Sequence, residues 1–286
     1  MKIKLWLAFA LTTTIFWGIW GALIEIPNAA GFPATLSYMV WALTLIPCAT
    51  LALGNINWKL EFNRRAIFYG LMVGLFGAGR QILLFEALRS GPAYLVFPIV
   101  SLYPTVTVAL SVTLLKESAR PRSWVGIGLA FPAMALLSWT TQGSGGTEGY
   151  GWLGLVLVVF LMWGMQGYFM KYSTQIMKPE SVFFYMTIGA LSLIPIALWM
   201  TDFSQRIEWG FRGPYLAALI QVLNSIGALC LVYALRLGKA IIVVPMTALA
   251  PVLTVILSLL IYRVVPHPLV LTGLLFASVS IYLMAE

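Results

Sequence analysis

Apolar residues run in long blocks along this chain, and polar residues are confined to short gaps between them. The blocks lack the one-sided spacing of an amphipathic helix. Those of about 18 residues or more are long enough to cross a bilayer as helices. They predict ten spans, near 5–24, 34–53, 66–88, 92–115, 122–139, 151–171, 181–201, 214–235, 240–262 and 267–285. One gap stands out: TTQGSGGTEGY (140–150) is glycine-rich, lacks Lys and Arg, and divides the chain near its midpoint. The predicted organisation is a first unit at 1–139, an extracytoplasmic linker at 140–150 and a second unit at 151–286.

The two units repeat one another. FEALRSGPAYLVFPIVSLYPTVTVALS (85–111) and VYALRLGKAIIVVPMTALAPVLTVILS (232–258) agree at 13 of 27 positions, both prolines included. FWGIWG (16–21) is echoed by MWGMQG (162–167), LTLIP (43–47) by LSLIP (191–195), and VGIGLAF (125–131) by VLTGLLF (270–276). Five spans per unit is an odd number, so the second unit enters the membrane from the opposite side. The expected fold is an all-α integral membrane protein of ten transmembrane helices in two inverted five-helix repeats. That arrangement is typical of secondary transporters, which expose a midplane site to each side in turn.

Composition agrees with a membrane setting. Hydrophobic residues make up 61% of the chain and charged residues 9%, against about 25% charged in soluble domains. The net charge of +8 sits in short loops, which fits bilayer orientation better than nucleic-acid binding. With the N-terminus inside, 12 Lys and Arg fall on the cytoplasmic side and four on the other. Both termini are then cytoplasmic, in the cell (inner) membrane. The opening MKIKLW has a basic start but no small-x-small cleavage site follows, which predicts an uncleaved first span. Cys48 and Cys230 lie within apolar blocks, so neither a disulfide framework nor a metal cluster is expected. No cofactor motif is present.

Pro98 and Pro104 in the fourth span correspond to Pro245 and Pro251 in the ninth. A proline inside a helix removes a hydrogen bond and costs about 3 kcal/mol. In a bilayer the freed carbonyls must face protein or a wet cavity. Paired kinks are expected, either for packing or as gates, with Thr107, Thr247 and Thr254 close enough to satisfy freed carbonyls. The doubled AL…G.A…P…L.P…T pattern, the KE pair at 116–117 and the WG of spans one and six resemble the EamA repeat of the drug/metabolite transporter superfamily. The second half departs from it at YRV (262–264), where the family often has Gly-Glu. The resemblance implies ten helices around a central cavity and transport of a small metabolite.

Charge within a span is costly and is read as functional by default. Arg80, two-thirds along span three, is the leading candidate for substrate or gating contact, with a structural pairing to Glu25 or Glu86 as the plainer alternative. Glu86 is placed to pair with Arg89 at i+3, and Glu25 sits at a span end; both are candidates for proton coupling. Gly70, Gly74, Gly77 and Gln81 share one face of span three. The matching face of span eight carries Gln221, Asn224 and Ser225. Packing explains the glycines; the two amides are expected to line a cavity. Trp17 and its counterpart Trp163, with Trp20 and its counterpart Gln166, are expected along the path, and Tyr103 lies between the prolines of span four. Aromatic faces beside an arginine suit an amino acid; an organic-anion exchanger relying on Arg80 is the alternative.

An intramembrane enzyme would need a nucleophile–base pair or a metal motif within the spans. The single histidine, His267, lies in a loop between two prolines and no HExxH exists. No glycine-rich nucleotide loop is found either, so transport is expected to be secondary rather than ATP-driven. A sensor would carry an output domain, whereas here the termini extend only a few residues past the predicted spans. The expected partners are a small-molecule substrate, the lipid bilayer and coupling protons, around a monomer.

Overall fold

A computed structural model describes residues 4–90, 93–137, 151–262 and 267–284. The linker 140–150, Lys2, Arg263 and the side chains of Arg89 and Pro98 lie outside the described residues. The first half holds α1 (Leu5–Leu23), α2 (Glu25–Ala29), α3 (Ala34–Asn55), α4 (Arg64–Ser90), α5 (Ala93–Ser101), α6 (Pro104–Thr113) and α7 (Pro121–Leu137). The second holds α8 (Gly151–Ile176), α9 (Pro179–Ser192), α10 (Ile194–Trp199), α11 (Leu216–Leu237), α12 (Ala240–Thr247), α13 (Pro251–Tyr262) and α14 (Pro268–Met284). An irregular turn at Phe211–Tyr215 leads into α11.

Each of the ten predicted segments contains one helix or a broken pair. Among the described residues, seven helical stretches are long and apolar enough to cross a membrane. Ile99–Thr113 and Pro268–Met284 are shorter apolar helices, and α7 has 17 residues. Large apolar side chains cover the outside of the bundle: Leu51 and Leu260 are each 73% exposed and Leu275 68%. Such a surface is costly in water and ordinary against lipid tails.

The fourth and ninth segments break at equivalent places. α5 stops at Ser101 and α6 restarts at Pro104; α12 stops at Thr247 and α13 restarts at Pro251. Both gaps are bridged by the same i→i−3 bonds. Leu102 and Tyr103 amides donate to Ile99 and Val100 carbonyls at 3.3 and 3.0 Å, as Leu249 and Ala250 donate to Met246 and Thr247, both at 3.2 Å. These tighter turns re-satisfy backbone groups that the prolines would otherwise orphan. The Thr247 hydroxyl donates within its own helix, to the Val243 and Val244 carbonyls at 3.0 and 3.1 Å, which are not the carbonyls that Pro245 and Pro251 free. Thr107 and Thr254 do something else: they bond across to the other half, at Gly164 O (2.7 Å) and Gly18 O (2.9 Å).

That exchange runs through the whole packing. α4 lies along α8 as α11 lies along α1, α4 meets α9 as α11 meets α3, and α6 meets α8 as α13 meets α1. α7 pairs with its own counterpart, α14. The largest buried cluster mixes both halves, with Leu45, Val73 and Ile127 beside Phe183, Leu235 and Met246. The two units are repeats of sequence rather than separately packed bodies.

Candidate substrate site

Two polar clusters sit at equivalent places in the interleaved helices. The first joins α4, α8 and the α5–α6 break. Glycine at 77 leaves no side chain between α4 and α8, and the Gln166 amide occupies that space. From there Gln166 Oε1 accepts a bond from Arg80 Nε at 3.1 Å. The Arg80 guanidinium carbon lies 3.6 Å from the centroid of the Trp163 ring. Trp163 stacks on buried Tyr103, with centroids 4.7 Å apart and planes at 10°. The proline break therefore delivers the tyrosine to the arginine–tryptophan pair.

Cation–π contact and one neutral hydrogen bond orient the guanidinium without neutralising it. Among the described residues no carboxylate pairs with Arg80, and its two terminal nitrogens carry no protein hydrogen bond. Among the described residues Arg80 pairs with neither Glu25 nor Glu86. Glu25 is exposed at the start of α2, and Glu86 lies six residues further along α4, about 9 Å along the axis. Gln81 is half-buried and makes no polar contact among the described residues.

The second cluster joins α1, α3 and α11. Trp17 Nε1 donates to Asn224 O at 3.2 Å, and Trp20 Nε1 to Gln221 Oε1 at 2.9 Å. Gln221 Nε2 donates to Ser37 O at 3.3 Å, and Asn224 Nδ2 to Gln221 Oε1 at 3.4 Å. Gln221 is 4% exposed, so both ends of its amide are engaged by protein. Gln221 and Asn224, expected from the sequence to line a cavity, also tie α11 to α1 and α3. The glycine stripe packs as expected, Gly70 against Tyr185 and Gly74 against the α9 backbone.

The duplication shows what is particular to the first cluster. Trp163 corresponds to Trp17, 146 residues earlier, and Arg80 to Gly227, 147 residues later. Trp17 covers Gly227 so closely that an added Cβ would lie 2.6 Å from its ring. One half thus seats its tryptophan on a glycine, and the other half on an arginine. Helix packing at this position does not demand a charge.

The sequence reading brought together the members of each cluster but not their division into two. It also missed a buried ion pair, Glu117 with Lys171, at another point where the halves meet. The two described cavities lie away from both clusters: one of about 260 Å³, beside that ion pair, is lined by Lys4, Trp6, Arg120, Gly238 and Lys239 among others, and the other is an apolar hollow beside Phe211 and Tyr215.

The sequence profile of the EamA-like transporter family matches residues 4–139 and 151–285, once for each half. The chain belongs to this family. A solved crystal structure shares the fold of this EamA-like transporter, with a TM-score of 0.77 over 96% of this chain and 97% of its own at 16% identity. An uncharacterized protein of Methanocaldococcus jannaschii is 33% identical over 76 residues, which is 27% of this chain and 56% of that relative. The match thus spans about half the length of that protein. Family and apolar helices together make this a multi-pass membrane protein of a transporter family.

Proposed function

We propose that this EamA-like transporter moves a small amphipathic metabolite bearing a carboxylate, an amino acid in the first instance, without ATP and by alternating access. The observation that carries this reading is Arg80: an intramembrane guanidinium held over Trp163, with its terminal nitrogens unpartnered among the described residues. Such an edge accepts a carboxylate through two parallel hydrogen bonds. The faces of Tyr103 and Trp163 beside it suit an apolar or cationic remainder. In this reading the ten helical segments are ten spans in two inverted repeats, both termini are cytoplasmic in the cell membrane, and the protein works as a monomer. Trp17, Trp20, Gln221 and Asn224 form the counterpart wall, the breaks at Pro104 and Pro251 let the fourth and ninth spans bend, and Glu86 and Glu25 are the candidates for proton coupling.

A matched ligand series tests it. Phenylacetate, phenylalanine, phenethylamine and phenethyl alcohol share a ring and differ in head group. Ligands that bind the folded protein raise its melting temperature by mass action. Phenylalanine is expected to raise it, phenethylamine and the alcohol are not, and Arg80→Gln is expected to abolish the shift. A shift by phenylacetate alone favours organic-anion exchange. A carboxylate-dependent shift that survives Arg80→Gln removes Arg80 from the site.

A further inference from the structure

At the far end of the α6–α8 contact the KE pair of the repeat acquires a structure. Lys116 takes a left-handed backbone, φ 55°, a conformation that non-glycine residues rarely adopt and that costs about 1 kcal/mol or more. This turns the chain back after α6, so that the Glu117 amide donates to the Ser111 carbonyl at 3.1 Å and the Glu117 side chain points into the protein. There its carboxylate lies 3.7 Å from Lys171 Nζ, with only 9% and 10% of the two side chains exposed. The other carboxylate oxygen accepts from the Ile241 amide in the first turn of α12, at 3.1 Å. Lys171 donates to Leu235 O at 2.8 Å, in the last turn of α11, and to Gly238 O at 2.6 Å, just past its end. Anion at a helix start and cation at a helix end each oppose the local helix dipole.

Glu117 belongs to the first half, and Lys171, α11 and α12 to the second, so the pair clamps the halves where α11 turns into α12. Arg236 donating to Thr174 O and Lys239 to Ser118 O tie the same junction. The α1–α13 contact repeats the α6–α8 contact at Thr254 and Gly18, but its α1 residue equivalent to Lys171 is Glu25, 146 positions earlier and exposed. The clamp is not copied there.

We propose that Glu117 and Lys171 form a latch that closes one end of the transport path, which by the charge pattern is the cytoplasmic end, and that this end opens only when the pair separates. The proposal rests on the transport reading for its purpose, but not for its test, which needs no substrate.

The test uses thiol accessibility in the purified full-length protein. Ser111 is fully buried one helical turn beyond Thr107 on α6, behind the latch. A Ser111→Cys variant, with Cys48 and Cys230 replaced by alanine, is treated with a small cationic methanethiosulfonate. Its labelling is expected to be slow, to rise at least tenfold with Lys171→Met or with the milder Glu117→Gln, and to stay within threefold of the parent with Lys171→Arg. The same changes are made in a second background that keeps only buried Cys48. Unchanged labelling of Ser111→Cys in both latch variants overturns the proposal, as does parallel acceleration at Cys48, which would mean general loosening. Separation at the latch alongside a failed ligand series would refute the substrate reading and leave the latch standing.

Discussion

Arg80 and Gly227 occupy equivalent positions under equivalent tryptophans, and that single difference separates chemistry from packing. A planar guanidinium can stack and offer a two-pronged edge together, which an ammonium cannot. Arg80→Lys is therefore expected to keep the charge but weaken carboxylate binding at least tenfold, measured by ligand titration of the melting temperature. The glycines at the cross-half contacts carry a different kind of constraint. An added Cβ at Gly164 would meet Val106 and lie 2.8 Å from Tyr103 O; at Gly18 it would lie 2.6 Å from Leu253 Cβ. Gly164→Ala and Gly18→Ala are each expected to cost about 1–3 kcal/mol through overpacking. Gly154→Ala, with open space around it, is expected to be neutral or to stabilise by up to about 1 kcal/mol. Thermal or denaturant unfolding in detergent ranks the three.

Among the elements, the broken fourth and ninth segments are where sequence was most and least informative. The breaks themselves were legible, because proline cannot continue the backbone bonding of a helix. The destination of the threonines was not, since spacing along one helix cannot say which neighbour it meets. Thr107 and Thr254 make the same bond to the first helix of the opposite half. Thr107→Val and Thr254→Val are thus expected to cost similar amounts, about 0.5–1.5 kcal/mol each, and nearly additively because the two contacts share no partner. A double variant compared with the two single ones in unfolding experiments checks this; strong non-additivity would show the contacts to be coupled. α2 and the irregular turn before α11 left no mark in the hydrophobic pattern, being too short to carry a period.

For the whole molecule, interleaving has a direct consequence. Each half buries its apolar faces mainly against the other, so neither has a core to fold around alone. Residues 1–145 and 146–286 expressed separately are expected to aggregate, and to give a single sharp peak on detergent size exclusion only when co-expressed. A folded single half would contradict the interleaved core. The proposed topology is checked separately by labelling intact cells in a cysteine-free background. An impermeant maleimide is expected to reach Ser204→Cys, in the loop before α11, and not Asn57→Cys, in the loop after α3. Labelling of both or of the reverse pair would reject the sidedness.

The sequence by itself determined that this protein is helical, duplicated and suited to a bilayer, because length and hydrophobicity of a block decide whether it can cross lipid, and self-similarity needs no partner to be seen. It also singled out Arg80, since a charge in an apolar run is conspicuous wherever the run ends up. Tertiary structure alone decided which tryptophan faces that arginine, that Gln221 is engaged by Trp20 and Ser37, and that Glu117 reaches Lys171 from the other half. Those are meetings between residues 54 to 201 positions apart. Near-uniform apolar helices give little indication of which face meets which neighbour; that choice is made only when small residues, broken helices and buried polar groups are fitted together at once.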